Sequence, residues 1–330
     1  MVICESEYLP YAEISVKKLY GNLEYVTSIL NGAKLFCVVK SDAYGHGMQI
    51  ARYMDKFCYG FAVSRLDEAV ALRYLGIRKC IIMLLPVSQS ELRIAADYDV
   101  TLTCDSLFRL KQTADFDRKL KVFLKADTGM KRFGFSDLNE FESAVIFAEN
   151  NKKVRVEGVY SHFYNAESND DCLSQLKKFS RFSDVFDRRL TGLKHVSASG
   201  GLIRGYTLDA VRVGILCYGY KPFACDAPVK PVMKIYAKPF KKRCFSHGDV
   251  CLYNSFVSGG EFSLVNYGYA DGLPRTSEPT RCMDVSLVKT TQNDVVFDDA
   301  EIIAKKYGTI SYEVLTSCTK RIPIYYNEEL

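Results

Sequence analysis

No hydrophobic run in this chain is long enough to cross a bilayer. The longest apolar stretch, near Cys80–Val87, is far short of a membrane span. A basic-then-apolar leader is also missing, since the N-terminus carries Glu5 and Glu7, so no signal peptide is expected. The 12 cysteines include no CxxC pair and fall mostly in apolar runs (Cys37, Cys58, Cys80, Cys217). They read as reduced, buried thiols of a cytoplasmic protein, not as a disulfide framework. The four histidines (His46, His162, His195, His247) are far apart and form no HxxxH, which argues against a histidine metal site. Charge of one sign is lacking too: 44 basic against 39 acidic residues give +5. That balance makes no case for nucleic acid, and the cluster Lys238, Lys241, Lys242, Arg243 reads as a solvated strand or loop face.

What is present is an ordinary globular composition, 48% hydrophobic and 25% charged over 330 residues. Such a length accommodates a large α/β domain and a smaller one. Short apolar β-rich runs alternate with amphipathic helical stretches. The candidate strands are Leu35–Lys40, Cys58–Val63, Cys80–Leu85, Val100–Thr103, Val122–Lys125, Val154–Tyr160, His195–Ala198 and Leu208–Arg212. Ser64 reads as an N-cap with Asp67 three residues on, and Gly76 as the close of that helix. Leu176, Phe179, Phe182, Phe186 and Leu190 form an apolar stripe expected to be core. Eight strand–helix alternations are what a (β/α)8 barrel requires; a doubly wound open sheet is the runner-up. After about Val232 the helical period fades, and strand-like runs (Val250–Tyr253, Phe262–Val265, Val285–Val288, Val295–Phe297) alternate with turn signals. A smaller β-rich domain from about residue 233 to the end is expected.

In a barrel the chemistry lies at the C-terminal ends of the strands, with phosphate bound after the seventh and eighth. Lys40 ends the first candidate strand and Lys125 the fifth, followed by Asp127-Thr128-Gly129-Met130-Lys131-Arg132. His162 lies beyond the sixth, Ser199-Gly200-Gly201 after the seventh, and Arg212-Val213-Gly214-Ile215 at the end of the eighth. Each alone reads as a surface lysine or a turn. Together on one rim they form a site for a phosphorylated small molecule. A lysine at the end of an apolar strand is partly desolvated, which lowers its pKa and makes the amine nucleophilic. A Schiff base with an aldehyde cofactor is the natural use of such an amine.

Seven ordered strings carry a specific resemblance. VVKSDAYGHG, which holds Lys40, resembles the pyridoxal-phosphate lysine motif of alanine racemases. LKADTGMKRFGF, SHFYNAES and VRVGILCYG are similar to further signatures of that family, and VNYGYADGLPR, RCMDVSLV and GTISYEVLTSCTKRIPIYY to its C-terminal domain. The resemblance implies three segments: residues 1–13 as a strand packing with the β domain, 14–232 as the barrel that binds pyridoxal 5'-phosphate, and 233–330 as a β-rich domain supplying residues to the partner's active site in a homodimer. It implies that Lys40 holds the cofactor and that Tyr44, Ser199, Gly214, Ile215 and Tyr312 hold its phosphate. Arg212 would face the pyridine nitrogen, with His195 beside it; pairing of Arg212 with Asp209 is the plain alternative. Lys40 would serve one face of the substrate α-carbon and Tyr269 of the partner subunit the other, with His162 near that tyrosine. Arg132 would bind the substrate carboxylate, helped by the backbone of Met283 of the partner subunit. Lys125 matches a lysine carbamylated in many members, an unmodified lysine being the alternative.

The chain departs from the family pattern in places. Six residues, Thr276 to Arg281, separate GLPR from CMD, where a longer hairpin is usual. Ala198 stands at a usual asparagine and Val213 at a common proline. None of these removes a catalytic group. The expected activity is interconversion of L- and D-alanine in the cytoplasm, supplying D-alanine for peptidoglycan. A serine or broad small-amino-acid racemase, a pyridoxal-phosphate homeostasis protein and an amino-acid decarboxylase are the alternatives.

Overall fold

The computed structural model describes residues 7–253, 255–272, 275, 280–289 and 294–329. The chain forms two compact units. The larger comprises Tyr20–Ala43 and Met48–Val229; the smaller comprises residues up to Leu19, Tyr44–Gly47, and Lys230 onward.

Strand β1 (Tyr11–Ser15) belongs to the smaller unit. The next eight strands build the larger: β2 (Lys34–Val38), β3 (Gly60–Val63), β4 (Cys80–Met83), β5 (Leu102–Cys104), β6 (Leu120–Lys125), β7 (Val154–Tyr160), β8 (Leu193–His195) and β9 (Ala210–Val213). All pair in parallel, in the orders β4-β3-β2-β9 and β5-β6-β7-β8. Backbone bonds join the two sheets at both seams. Met83 N donates to Thr101 O (2.8 Å) and Thr101 N to Ile81 O (2.9 Å); Asp209 N donates to Lys194 O (3.0 Å) and Arg212 N to Ser197 O (3.0 Å). The ring is therefore closed, and the expected (β/α)8 barrel is present while the open sheet is not. Parallel strands buried on both faces read as continuous apolar runs, which is why strands such as β2, β3, β4 and β6 were visible as apolar runs, while β8 (Leu-Lys-His) is not one. The barrel interior is aromatic: the Phe123 ring stands edge-on to His195 (5.1 Å) and His195 stacks on Tyr160 (5.0 Å, 11°). At the bulge opposite Val122 and Phe123, Gly158 lets β7 and β8 close up, because a Cβ there would lie 2.0 Å from Leu193 O.

Two local expectations need correction. The helix Leu66–Tyr74 is not capped by Ser64. The Glu68 carboxylate takes the backbone N–H groups of Ser64 (2.8 Å) and Arg65 (3.0 Å) instead. The apolar stripe of the helix Asn169–Asp187 includes a buried glutamine, Gln175, beside a half-buried Leu176, and Leu190 lies beyond the helix end.

In the smaller unit β1 lies between β10 (Met233–Tyr236), antiparallel, and the last strand of the chain, parallel. A three-stranded antiparallel sheet follows, made of β11 (Pro239–Cys251), β12 (Ser255–Val265) and β13 (Ser286–Lys289). Strands β14 (Val295–Phe297) and β15 (Ile324–Asn327) complete the first sheet, in the order β14-β10-β1-β15. The basic cluster sits on or beside the exposed strand β11, and Leu252–Tyr253, expected in a strand, form a turn. Two short helices, Ala300–Tyr307 and Ser311–Ser317, were not expected. Their signals were present: Asp299 caps the first through Glu301 N (2.7 Å), and Gly308 ends it in the left-handed conformation. Most of the shortened Thr276–Arg281 segment, residues 276–279, and residues 1–6 of the N-terminal segment lie outside the described residues.

Candidate active site

Strand β2 ends at Val38, so Lys40 stands two residues past it and not within it. It opens a helical turn, Lys40–Gly45, with the unusual hand. Ser41, Asp42, Ala43 and Tyr44 have φ between +51° and +55°, and Gly45 has +76°. For L-residues this conformation costs roughly 1–2 kcal/mol per residue, so surrounding contacts must impose it. At its start Ser41 N donates to Glu68 Oε1 at 2.6 Å. At its end, within the smaller unit, Thr319 Oγ1 donates to Gly45 O (2.7 Å), and the Tyr326 hydroxyl donates to His46 O (2.8 Å) and Gly47 O (3.0 Å). A Cβ on Gly45 would meet Leu315 O at 2.1 Å. The Lys40 ammonium is half-buried. Burial lowers its pKa first and the Arg132 charge second, with Glu68 opposing both.

Arg212, at the end of β9, is buried. Its Nη2 donates to Ser161 O (2.8 Å), Val196 O (3.0 Å) and His162 Nδ1 (3.0 Å), and its Nη1 donates to His195 Nδ1. None of these partners is a carboxylate. Asp209 takes the Lys194 N–H instead (2.8 Å), so the alternative Arg212–Asp209 pair is absent. Burial pushes the guanidinium down to about 10. A guanidinium only donates, so both histidines accept at Nδ1 and carry their proton on Nε2. Burial, then the charge of Arg212, holds each imidazole well below the usual histidine range. His195 Nε2 has no hydrogen-bond partner among the described residues.

Lys125 ends β6 and is buried. Its Nζ donates to Phe133 O (3.1 Å) and lies 3.4 Å from the Phe133 ring centroid. Burial, followed by the charges of Arg132 and Arg212, lowers it to about 8. Arg132 is exposed, with its guanidinium 5.4 Å from the same ring. The charges of Arg212, Arg132, Lys125 and Lys40 all bear on His162. Four cations therefore converge on one rim of the barrel, an arrangement that favours a ligand carrying phosphate and carboxylate groups.

Ser199 is buried at the start of the short helix Ser199–Ile203. The two glycines after it are required by packing. A Cβ on Gly200 would lie 2.6 Å from Ala166 Cβ, and one on Gly201 would lie 2.4 Å from Ser197 Oγ. Gly214 and Ile215 are buried in the turn after β9. Their backbone carbonyls are used, by Cys217 N (2.8 Å) for Gly214 and by Tyr218 N (3.2 Å) and Tyr220 N (3.1 Å) for Ile215. No acceptor among the described residues takes either amide N–H. Buried amides of this kind at a strand end suit a phosphate.

The smaller unit brings together two further pairs. Tyr44 packs on Tyr312 with ring centroids 5.8 Å apart, and burial pushes the Tyr312 hydroxyl up to about 12. Tyr269, half-buried, opens the 3-10 turn Tyr269–Asp271. Tyr269 N donates to Cys282 O (3.1 Å) and Ala270 N to Met283 O (2.9 Å). Gly268 permits this approach, because a Cβ there would lie 2.1 Å from Met283 O. The buried Asp271 closes the turn by accepting from Gly268 N (2.7 Å) and pairs with Arg321 (3.0 Å). Among the described residues, no group of histidine, cysteine, aspartate or glutamate is placed to hold a metal ion.

The sequence profile described as "Alanine racemase, N-terminal domain" matches residues 14–222. The chain belongs to the alanine racemase family. An alanine racemase of Streptococcus agalactiae is 31% identical over 358 aligned residues, covering 96% of this chain and 97% of that protein. One from Lactobacillus gasseri is 30% identical, covering 90% and 92%. Among solved structures, the alanine racemase of Clostridium difficile 630 superposes with a TM-score of 0.90 at 28% identity, covering 98% of this chain and 97% of that one. That of E. faecalis gives 0.88 at 26%, covering 99% and 100%.

Several side chains that support the alanine-racemase rim were not singled out from the sequence. The Gln175 amide donates to Thr128 Oγ1 (3.0 Å) and His162 O (3.0 Å) and accepts from Tyr164 N (2.9 Å). The ring of Tyr160 lies 5.0 Å under the Arg212 guanidinium. Gln175 was detectable as a polar residue at helical spacing between Cys172 and Phe179, on the face expected to be apolar.

Proposed function

We propose that this chain interconverts L- and D-alanine with pyridoxal 5'-phosphate as cofactor, acting in the cytoplasm as a homodimer with shared sites. The observation that carries the proposal is the convergence of Lys40, Lys125, Arg132 and Arg212 on one barrel rim, with neutral acceptors around Arg212. Family membership narrows the anion that such a rim receives. The donor set fits the cofactor: a desolvated amine for its aldehyde, two buried amides without an acceptor among the described residues for its phosphate and a buried guanidinium for its ring nitrogen.

Bound to an amino acid, pyridoxal phosphate supplies an electron sink that acidifies the α-hydrogen. The protein's residues do the rest. Lys40 holds the cofactor and moves a proton on one face of the α-carbon. Tyr269 of the partner subunit serves the other face. Ser199, Gly214, Ile215, Tyr44 and Tyr312 hold the phosphate. Arg212 would offer an N–H to the ring nitrogen without surrendering its proton, so the bound ring would be a weaker electron sink. His195, stacked in the barrel core, and His162 fix the Arg212 fork, and His162 retains an Nε2–H to offer the tyrosine. Arg132 and the backbone of Met283 of the partner subunit take the substrate carboxylate. Lys125, lowered to about 8, has a larger neutral fraction than an ordinary lysine and is suited to carbamylation: its neutral amine attacks carbon dioxide, releases a proton and gains a negative charge beside Arg132. D-Alanine for peptidoglycan is the expected use of the product.

Complementation tests the shared site. Tyr269→Ala should retain the cofactor's colour but lose racemisation equally in both directions, because the two enantiomers are equal in free energy, while exchange of the α-hydrogen with solvent survives mainly for the enantiomer whose proton Lys40 removes. Mixed with Lys40→Ala subunits it should regain activity, because each heterodimer holds one intact site. Verified heterodimers with no recovered activity would contradict the shared arrangement.

A further inference from the structure

We infer that Glu68 is a positioning residue for Lys40: its carboxylate holds the first amide of the left-handed turn that presents the lysine. The inference deepens the function proposed above and rests on it. The turn is built from Ser41, Asp42, Ala43 and Tyr44, none of which prefers positive φ strongly enough to form it alone. Its far end is held in the smaller unit through Gly45, His46 and Gly47. At the near end Glu68 supplies a charge-assisted bond, Oε1 to Ser41 N at 2.6 Å.

The geometry makes the clamp stiff. Glu68 Oε2 is occupied by Ser64 N (2.8 Å) and Arg65 N (3.0 Å), immediately after β3. One carboxylate therefore ties the start of a helix, the end of one barrel strand and the residue after Lys40. Both oxygens are engaged, so the side chain cannot swing without releasing backbone groups. Glu68 touches no reacting atom in this account. It acts by fixing where the Lys40 backbone leaves the rim, and its charge also favours the ammonium form against Arg132.

The test compares Glu68→Ala with Ser106→Ala. Ser106 caps another barrel helix through Arg109 N (3.3 Å) and is remote in sequence from Lys40, so it controls for loss of a cap alone. In cofactor-free protein, hydrogen exchange at the Ser41 amide should accelerate at least about tenfold in Glu68→Ala, the factor a charge-assisted hydrogen bond supplies, and stay unchanged in Ser106→Ala. The dissociation constant for pyridoxal phosphate, followed by absorbance and by borohydride trapping on Lys40, should rise by a similar factor in Glu68→Ala only. Glu68→Gln, which keeps one acceptor oxygen, should fall between. Unchanged Ser41 exchange, or a cofactor affinity equal in the two alanine variants, would overturn the inference while the functional reading stands. Wild-type protein that captures no pyridoxal phosphate at Lys40 would overturn that reading and this inference together.

Discussion

Lys40→Ala abolishes stable attachment of pyridoxal phosphate and lowers racemisation by about 10^4-fold or more, with the barrel still folded. Two losses combine. The variant lacks the amine that holds the cofactor aldehyde, and it lacks the group that moves a proton on one face, an effect typically of 10^2–10^4-fold by itself. Folding should survive, since the Lys40 side chain is half-buried and desolvation already disfavours its charge. The checks are trapping with borohydride, which should leave no label at residue 40, and initial rates in both directions. Residual activity above about 1% of wild type would contradict the assigned role.

Arg212→Ala is expected to cost about 3–5 kcal/mol of stability, measured by urea unfolding of the cofactor-free protein. The argument is one of stranded partners. Arg212 donates to the carbonyls of Ser161 and Val196 and to Nδ1 of both His162 and His195 in a buried setting. Deleting the guanidinium leaves those acceptors without donors and opens a void over the Tyr160 ring. Arg212→Lys should recover only part of the loss, because an ammonium cannot reproduce a planar fork that serves several acceptors at once. A change under about 1 kcal/mol for Arg212→Ala would show that the network carries little. Function should change as well: both variants alter the group offered to the ring nitrogen, so the absorbance of bound cofactor should differ from wild type.

The barrel was legible because its physics is repetitive. Strands buried on both faces must be apolar throughout, and the runs around Phe36, Phe61, Ile81, Leu102, Phe123, Val159, His195 and Val211 stood out against amphipathic helices. The cationic rim was legible for a related reason: lysine or arginine at the end of an apolar strand is conspicuous. The left-handed turn after Lys40 was not. Its residues Ser41 to Tyr44 contain no glycine, and the conformation comes from Glu68 at one end and Thr319 and Tyr326 at the other. Contacts at sequence separations of 27 and 274 residues leave no local trace. Glu68 as the cap was hidden by a local decoy instead, since Ser64, four residues before it, had the expected residue type in the expected place.

Strand β11 was legible only at its ends, as a solvated strand or loop face at the basic cluster and a run starting at Val250, because its side chains are almost all exposed; its pairing with β12 defines it as one strand. The two helices after Asp299 were short enough for the surrounding β texture to mask them, although the Asp299 cap and Gly308 were both visible. In the site, Gln175 was concealed by the stripe in which it sits. Apolar periodicity identified the buried face but drew attention away from the polar residue on it.

The central claim is that the rim built around Lys40 and Arg212 exchanges and inverts the α-hydrogen of alanine. Wild-type protein with added pyridoxal phosphate, given L-alanine in deuterated water and analysed by chiral separation and mass, tests it most directly. The account predicts D-alanine carrying deuterium at the α-carbon. Amine and carbon dioxide as products, or bound cofactor with no α-exchange on alanine, would contradict it.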